Sequence, residues 1–233
     1  MSAQVASTTT TTTQPVEERQ SASRVLRIAA GAALVAGPAL WAAGMWTSPP
    51  AAGTTDIDYL TSLGRDGTIT QVSALFLHYG NLFIGLGVLA AASLVRGPKG
   101  GRLTVIGSLL TALGFTNVSG MLLSDWWNLS AAQNLPVEHA AKVFGGFKDS
   151  SLLFLWNGFE MASLLGTILL LVGLARAGVL GWWNLAIFVA GFAGLMFIPW
   201  DLPRLSAVAV LVGFSPFAMI GVRLFQRAGI GRR

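Results

Sequence analysis

The stretch 151-SLLFLWNGFEMASLLGTILLLVGLA-175 decides how the chain is read. At about 1.5 Å of helical rise per residue it is long enough to cross a ~30 Å hydrocarbon core. It holds a single carboxylate, Glu160, which falls roughly 13 Å in from Ser151 at that rise. Asn157, Glu160, Ser163 and Thr167 recur near i, i+3 and i+7, so they share one helix face. A polar face is costly in lipid, and this one is expected to look into a bundle interior or a wet cavity.

Working outward, the whole chain has a membrane composition. Of its 233 residues 53% are hydrophobic and only 11% charged, with a mean hydropathy of +0.64. Soluble domains carry about a quarter charged residues. There is no cysteine, which excludes disulfides, thiolate metal sites and Cys nucleophiles.

The expected architecture is an all-α integral membrane protein, a bundle of six transmembrane helices with spans near 28–46, 72–95, 103–124, 151–175, 182–200 and 205–225. Residues 1–23, with threonines running from Thr8 to Thr13, read as a disordered cytoplasmic tail. Residues 24–227 form the membrane domain, and 228–233 a basic cytoplasmic tail. Arg24 and Arg27 ahead of the first apolar run resemble the start of a secretory signal. The run to Trp46 is longer than a signal core, so it reads as the first span. Pro38 and Pro216 are expected bends in the first and last spans.

Two longer loops lie on the opposite face. In one, Thr55 is placed to cap a short helix that carries Ile57, Leu60 and Leu63 on one side. In the other, beginning at Asn128, Pro136 opens an amphipathic helix with Glu138 facing Lys142 at i,i+4. Asp125-Trp126-Trp127 reads as an interfacial belt.

Charge orients the bundle. With the amino terminus inside, the cytoplasmic face collects Arg19, Arg24, Arg27, Arg96, Lys99, Arg102, Arg176, Arg223, Arg227, Arg232 and Arg233. Only Arg65, Lys142, Lys148 and Arg204 fall outside, and the positive-inside rule then puts both termini in the cytoplasm. Arginine over lysine and the Ala/Gly richness suggest a bacterial chain, hence a multi-pass protein of the bacterial cytoplasmic membrane.

A weak repeat relates Ser73–Gly80 to Ser151–Gly158, and less closely to Ser206–Gly213. Each segment opens a helix that descends from the outer face, as three copies of a helical hairpin would.

Three helices carry strong polar groups into the outer half: His78 and Asn81, then Asn117, then Asn157 and Glu160. His78 is the only basic group at that depth, so it is expected to meet Glu160, either neutral or as an ion pair that offsets desolvation. Gly107, Thr111, Gly114, Asn117 and Ser124 share a face suited to close helix packing.

The functional expectation is a solute- or lipid-binding protein, with proton-coupled transport as its natural extension. Glu160 and His78 would be its protonatable centre, and Asn81, Asn117 and Asn157 its hydrogen-bonding wall. The second expectation is an integral-membrane enzyme acting on a lipid or isoprenoid, with Glu160 or Asp125 as acid and His78 as base. The third is a non-catalytic subunit or scaffold of a larger complex.

The partners implied are the lipid bilayer and a small apolar or amphipathic ligand, with no nucleic acid; oligomeric state is not legible. No cofactor is expected. A bis-histidine haem would need His139 at bilayer depth, and it lies in a surface loop. A metal site from His78, His139, Asp125 and Glu160 lacks ligand spacing. A hydrolase from Ser119 and His78 lacks a Gly-x-Ser-Gly signature and anything to orient the ring.

Overall fold

A computed structural model describes residues 16–230. Among them ten α-helices follow one another with no strand: α1 (Val16–Thr47), α2 (Asp56–Arg65), α3 (Gly67–Val88), α4 (Gly101–Leu122), α5 (Ser124–Asn134), α6 (Val137–Lys148), α7 (Leu153–Arg176), α8 (Trp183–Phe197), α9 (Pro203–Gly213) and α10 (Ser215–Arg227). A 3₁₀ turn, Leu89–Leu94, extends α3. Five segments are long and apolar enough to cross a membrane: Ser21–Thr47, Gly67–Leu94, Gly101–Asn134, Leu153–Arg176 and Pro203–Arg227. The helix in the region of the expected fifth span, α8, has 15 residues. At helical rise that is about 22 Å, short of the hydrocarbon thickness by itself.

Local chemistry explains the boundaries. Thr55 and Asp58 form a reciprocal capping box at the start of α2, the Thr55 hydroxyl accepting from Asp58 N at 3.2 Å and the Asp58 carboxylate accepting from Thr55 N at 3.1 Å. Asp66 then ends α2 and caps α3 by accepting from Ile69 N at 3.0 Å, so the two helices meet across one residue. The last span breaks at Phe214, just ahead of Pro216, which cannot donate to the preceding turn. Pro38 lies within the continuous α1.

The structure differs from expectation at three places. Helix α1 begins at Val16, inside the stretch expected to be a disordered tail; the rest of that stretch lies outside the described residues. The loop expected from Asn128 is helical as far as Asn134, where α2 packs against it and the Tyr59 hydroxyl lies 3.5 Å from Asn128 Nδ2. Helix α6 is present, but Glu138 and Lys142 do not pair. The ion pair seen among the described residues is instead Lys148 to Asp56 at 2.7 Å, which ties α6 to α2. It is half-exposed, and such pairs stabilise by less than about 1 kcal/mol.

The long helices pack along seams of small residues. The tightest joins α4 and α7, where Gly107, Thr111 and Gly114 interlock with Ser163, Gly166 and Leu170. A methyl group at Gly114 would overlap the backbone of Ser163, and one at Gly107 the backbone of Leu170. In lipid, where no hydrophobic force draws helices together, such close backbone approach is a main source of cohesion.

A second seam joins α1 to α3 through Gly37, Gly80 and Gly87. The dry core lies at the end of the bundle where α1 starts and α10 finishes. There Leu34, Ile84, Val88, Leu170, Leu174, Phe217, Ile220 and Leu224 are buried together. We call this the basic end, since Arg96, Lys99, Arg102, Arg176, Arg223 and Arg227 surround it. At the opposite end α2, α5 and α6 pack on one another as a lid.

Candidate functional site

Between core and lid the bundle encloses a cavity of about 800 Å³. Its floor is aromatic. Trp41 meets Phe214 edge-on with ring centroids 5.5 Å apart, and Phe115 and Phe188 pack on the same Phe214 ring at 5.8 and 6.2 Å. Its lid wall carries Tyr59, Ser62 and Leu63 from α2 and Asp125 from α5. Its side wall carries Glu160, Met161 and Leu164 from α7 facing Phe192, Leu195 and Met196 from α8.

That side is open. Glu160, Met161 and Met196 line the cavity yet are exposed on the bundle surface. Gly158 on α7 and Gly194 on α8 have no atom within 4 Å of where a Cβ would stand. Helix α7 is held by its seam with α4 and touches α8 only marginally, so the lid-end halves of α7 and α8 part. A volume of this size accommodates a drug-sized or lipid-fragment ligand, and its mixture of apolar walls with a few polar groups is that of a ligand site.

Most of the hydroxyls around the cavity are already satisfied. Ser48 and Ser73 bond each other at 2.8 Å, Thr70 donates to Leu63 O at 2.9 Å, Ser62 to Tyr59 O at 2.7 Å and Ser163 to Glu160 O at 2.7 Å. Three groups are not. Asn81 is fully buried and spends its amide hydrogen on Leu77 O at 2.7 Å, leaving Oδ1 without a partner. The Trp41 indole N–H is likewise buried and unpartnered. Among the described residues no hydrogen bond reaches the Glu160 carboxylate. Buried polar atoms are normally paired, so these mark where the wall is incomplete.

No protein family matches the chain, and neither does any curated protein or solved structure.

The site therefore stands on its own geometry, which treats the expected residues unequally. Glu160, Asn81 and Asp125 line one cavity. His78 does not, and no hydrogen bond or ion pair joins it to Glu160. Its Nδ1 lies 2.8 Å from Ser119 Oγ and 3.1 Å from Ser119 O, while Ser119 Oγ donates to His78 O at 3.1 Å. With the serine proton committed to that carbonyl, Nδ1 must carry a hydrogen and donate. An imidazole that donates to a serine is not its base, and Ser119 is buried away from the cavity. The contact is a clamp between α3 and α4.

Asn117 donates to Trp156 O at 2.9 Å and so joins α4 to α7 outside the cavity. Asn157 is exposed and makes no hydrogen bond among the described residues. No three His, Asp or Glu side chains gather as metal donors there, and His139 sits exposed on α6.

The sequence did not suggest Tyr59. Its hydroxyl donates to Asp125 Oδ1 in a short bond, with Asn128 Nδ2 within 3.5 Å. Burial, followed by the neighbouring Asp125 charge, pushes the phenol well above its ordinary value of 10.0, so it stays a donor. The available signal was its position on the inner side of α2, one residue before Leu60, but nothing local says that α2 folds over α5. The same bond turns Asp125 inward, where the adjacent tryptophans had suggested an interfacial belt.

Proposed function

We propose that this is a membrane protein that binds an amphipathic small molecule in the cavity between lid and core, drawing it from the bilayer through the gap between α7 and α8. The observation that carries the reading is an 800 Å³ cavity open on one side, whose wall holds an unpaired carboxylate and two unpartnered buried polar atoms. The apolar body of the ligand would lie on the aromatic floor and its polar head among Glu160, Asn81 and Asp125. Proton-coupled transport is the natural extension, with Glu160 as the group that takes up and gives up the proton.

Mass spectrometry of solvent extracts tests the reading. Purified protein should carry a co-purifying amphiphile, and the double variant Val118→Trp with Ser206→Trp, which narrows the cavity from two walls, should lose it while remaining monodisperse. An equal yield from both variants refutes the proposal. Glu160→Gln should abolish pH-dependent uptake with expression intact if transport is the activity. The enzyme reading has less support, because its expected base, His78, is committed to Ser119. Its mark would be a changed lipid extract on incubation without any gradient.

The reading includes six crossings with both termini on the cytoplasmic side of a bacterial membrane. Ala51 N, just past α1, donates to Trp200 O, just past α8, at 3.4 Å, and Arg204 stacks on Trp46 with 5.6 Å to its ring centroid. These contacts support α8 reaching the lid face with its flanking tryptophans. Because the chain has no cysteine, single Cys residues can be labelled on a clean background. Cysteines placed at Gly97 and Gly178 should react from the cytoplasmic side only, and one at Ser150 from outside only.

A further inference from the structure

Resting on that reading, we infer that the cavity's ligand is an organic cation with N–H donors, a lipophilic ammonium carried on an apolar body. The cavity's unpaired polar atoms are almost all acceptors. Among the described residues Glu160 offers two oxygens with no hydrogen bond and Asp125 is engaged through Tyr59 alone, while Asn81 Oδ1, sealed just behind the wall, has no partner. The Trp41 indole is the one unpartnered donor among them. Among the described residues no lysine, arginine or histidine lines the space, so none of them neutralises the two acids.

A carboxylate facing a low-dielectric space is stabilised most by a positive charge that also donates to it. The aromatic floor of Trp41, Phe115, Phe188 and Phe214 takes the apolar body, which leaves the charged head to the acids. An anionic amphiphile would set its charge against two acid side chains with no cation in the wall to offset it. A neutral alcohol would leave the acids uncompensated. The wall thus discriminates by charge sign, and the gap at α7 and α8 admits the ligand from the membrane in which such molecules concentrate.

The test uses the full chain in nanodiscs of zwitterionic phosphatidylcholine, with radiolabelled dodecylammonium, dodecanol and dodecanoate, which share one chain length and differ in the charge of the head. Binding is read by scintillation proximity for the wild type, Glu160→Gln and the filled variant Ser206→Trp. Dodecylammonium should bind ~10-fold more tightly than dodecanol, about what one partly desolvated ion pair contributes, and dodecanoate most weakly. Glu160→Gln should bring the affinity for the ammonium down to that for dodecanol. The charge assignment is overturned if dodecanol or dodecanoate equals the ammonium, or if Glu160→Gln keeps the preference. The two ideas fail separately. Dodecanol binding that Ser206→Trp abolishes keeps the cavity and sinks the cation, whereas binding of no compound, or binding indifferent to Ser206→Trp, sinks both.

Discussion

The two ends of α7 are built for different tasks. From Ser163 to Gly173 the helix lies backbone to backbone against α4, and Gly166, Thr167, Leu170, Leu171, Gly173 and Leu174 are buried. From Leu153 to Met161 no residue of the same helix is buried, Gly158 faces open space, and Glu160 stands at the cavity wall. One end is a joint and the other a wall. A single helix can serve both roles because a seam of small residues fixes its position over three turns and frees the remainder from any packing duty.

The largest effect should come from breaking the joint. Gly114→Val places a branched side chain where even a methyl group meets the Ser163 backbone, which cannot yield as a flexible side chain would. Overpacking usually costs about 1–3 kcal/mol, and with backbone on both sides the expected loss is about 3 kcal/mol or more. Fluorescence-detected size exclusion should show aggregated protein or a strongly lowered melting temperature. A monodisperse variant of normal stability would mean that α4 and α7 are not joined there.

The lid is the next place to press. Tyr59→Phe removes the one donor to Asp125 Oδ1 among the described residues and leaves a part-buried carboxylate short of a partner, a change that costs about 1–3 kcal/mol. The pH dependence has a definite sign. Because the phenol is raised above its ordinary 10.0, its stabilisation is complete below that pH and is lost as the unfolded state ionises at higher pH. Melting curves of the wild type should therefore fall above pH 10 more steeply than those of Tyr59→Phe. Parallel curves would sink the assignment.

The α3–α4 clamp should matter less. Ser119→Ala takes away one hydroxyl that both accepts from His78 and donates to its carbonyl, worth about 1 kcal/mol. Ligand binding should be unchanged, since neither residue lines the cavity. Lost binding at normal stability would return His78 to the site.

How much of this was legible depends on whether a feature belongs to one helix or to two. The α4 side of the joint was readable, since Gly107, Thr111 and Gly114 recur on one face, but Ser163 and Thr167 were expected to share the polar face of Glu160 and instead lie in the seam. Glu160 facing a cavity was readable as well, because a membrane acid has few other places to go. The neighbour across the gap was not. Spacing says which way His78 points relative to Asn81, but not that α4 presents Ser119 to it before α7 can present Glu160. Tyr59 was out of reach for the same reason, as its partner Asp125 comes from a helix far along the chain. The proposed repeat shows the limit too: Gly80 and Gly213 sit at close helix contacts, while Gly158 at the matching position touches nothing.

The smallest expected effect is the one that most sharpens the contrast within α7. Gly158→Ala adds a methyl group where no atom lies within 4 Å, in a helix interior where glycine costs about 1 kcal/mol relative to alanine. The variant should be unchanged or up to about 1 kcal/mol more stable, the reverse of Gly114 on the facing helix. Gly194→Ala on α8 should behave alike, because that site is equally open. If either substitution destabilised the protein by as much as Gly114→Val, the lid-end halves of α7 and α8 would have to be packed against something in the membrane, and the side of the cavity would be closed.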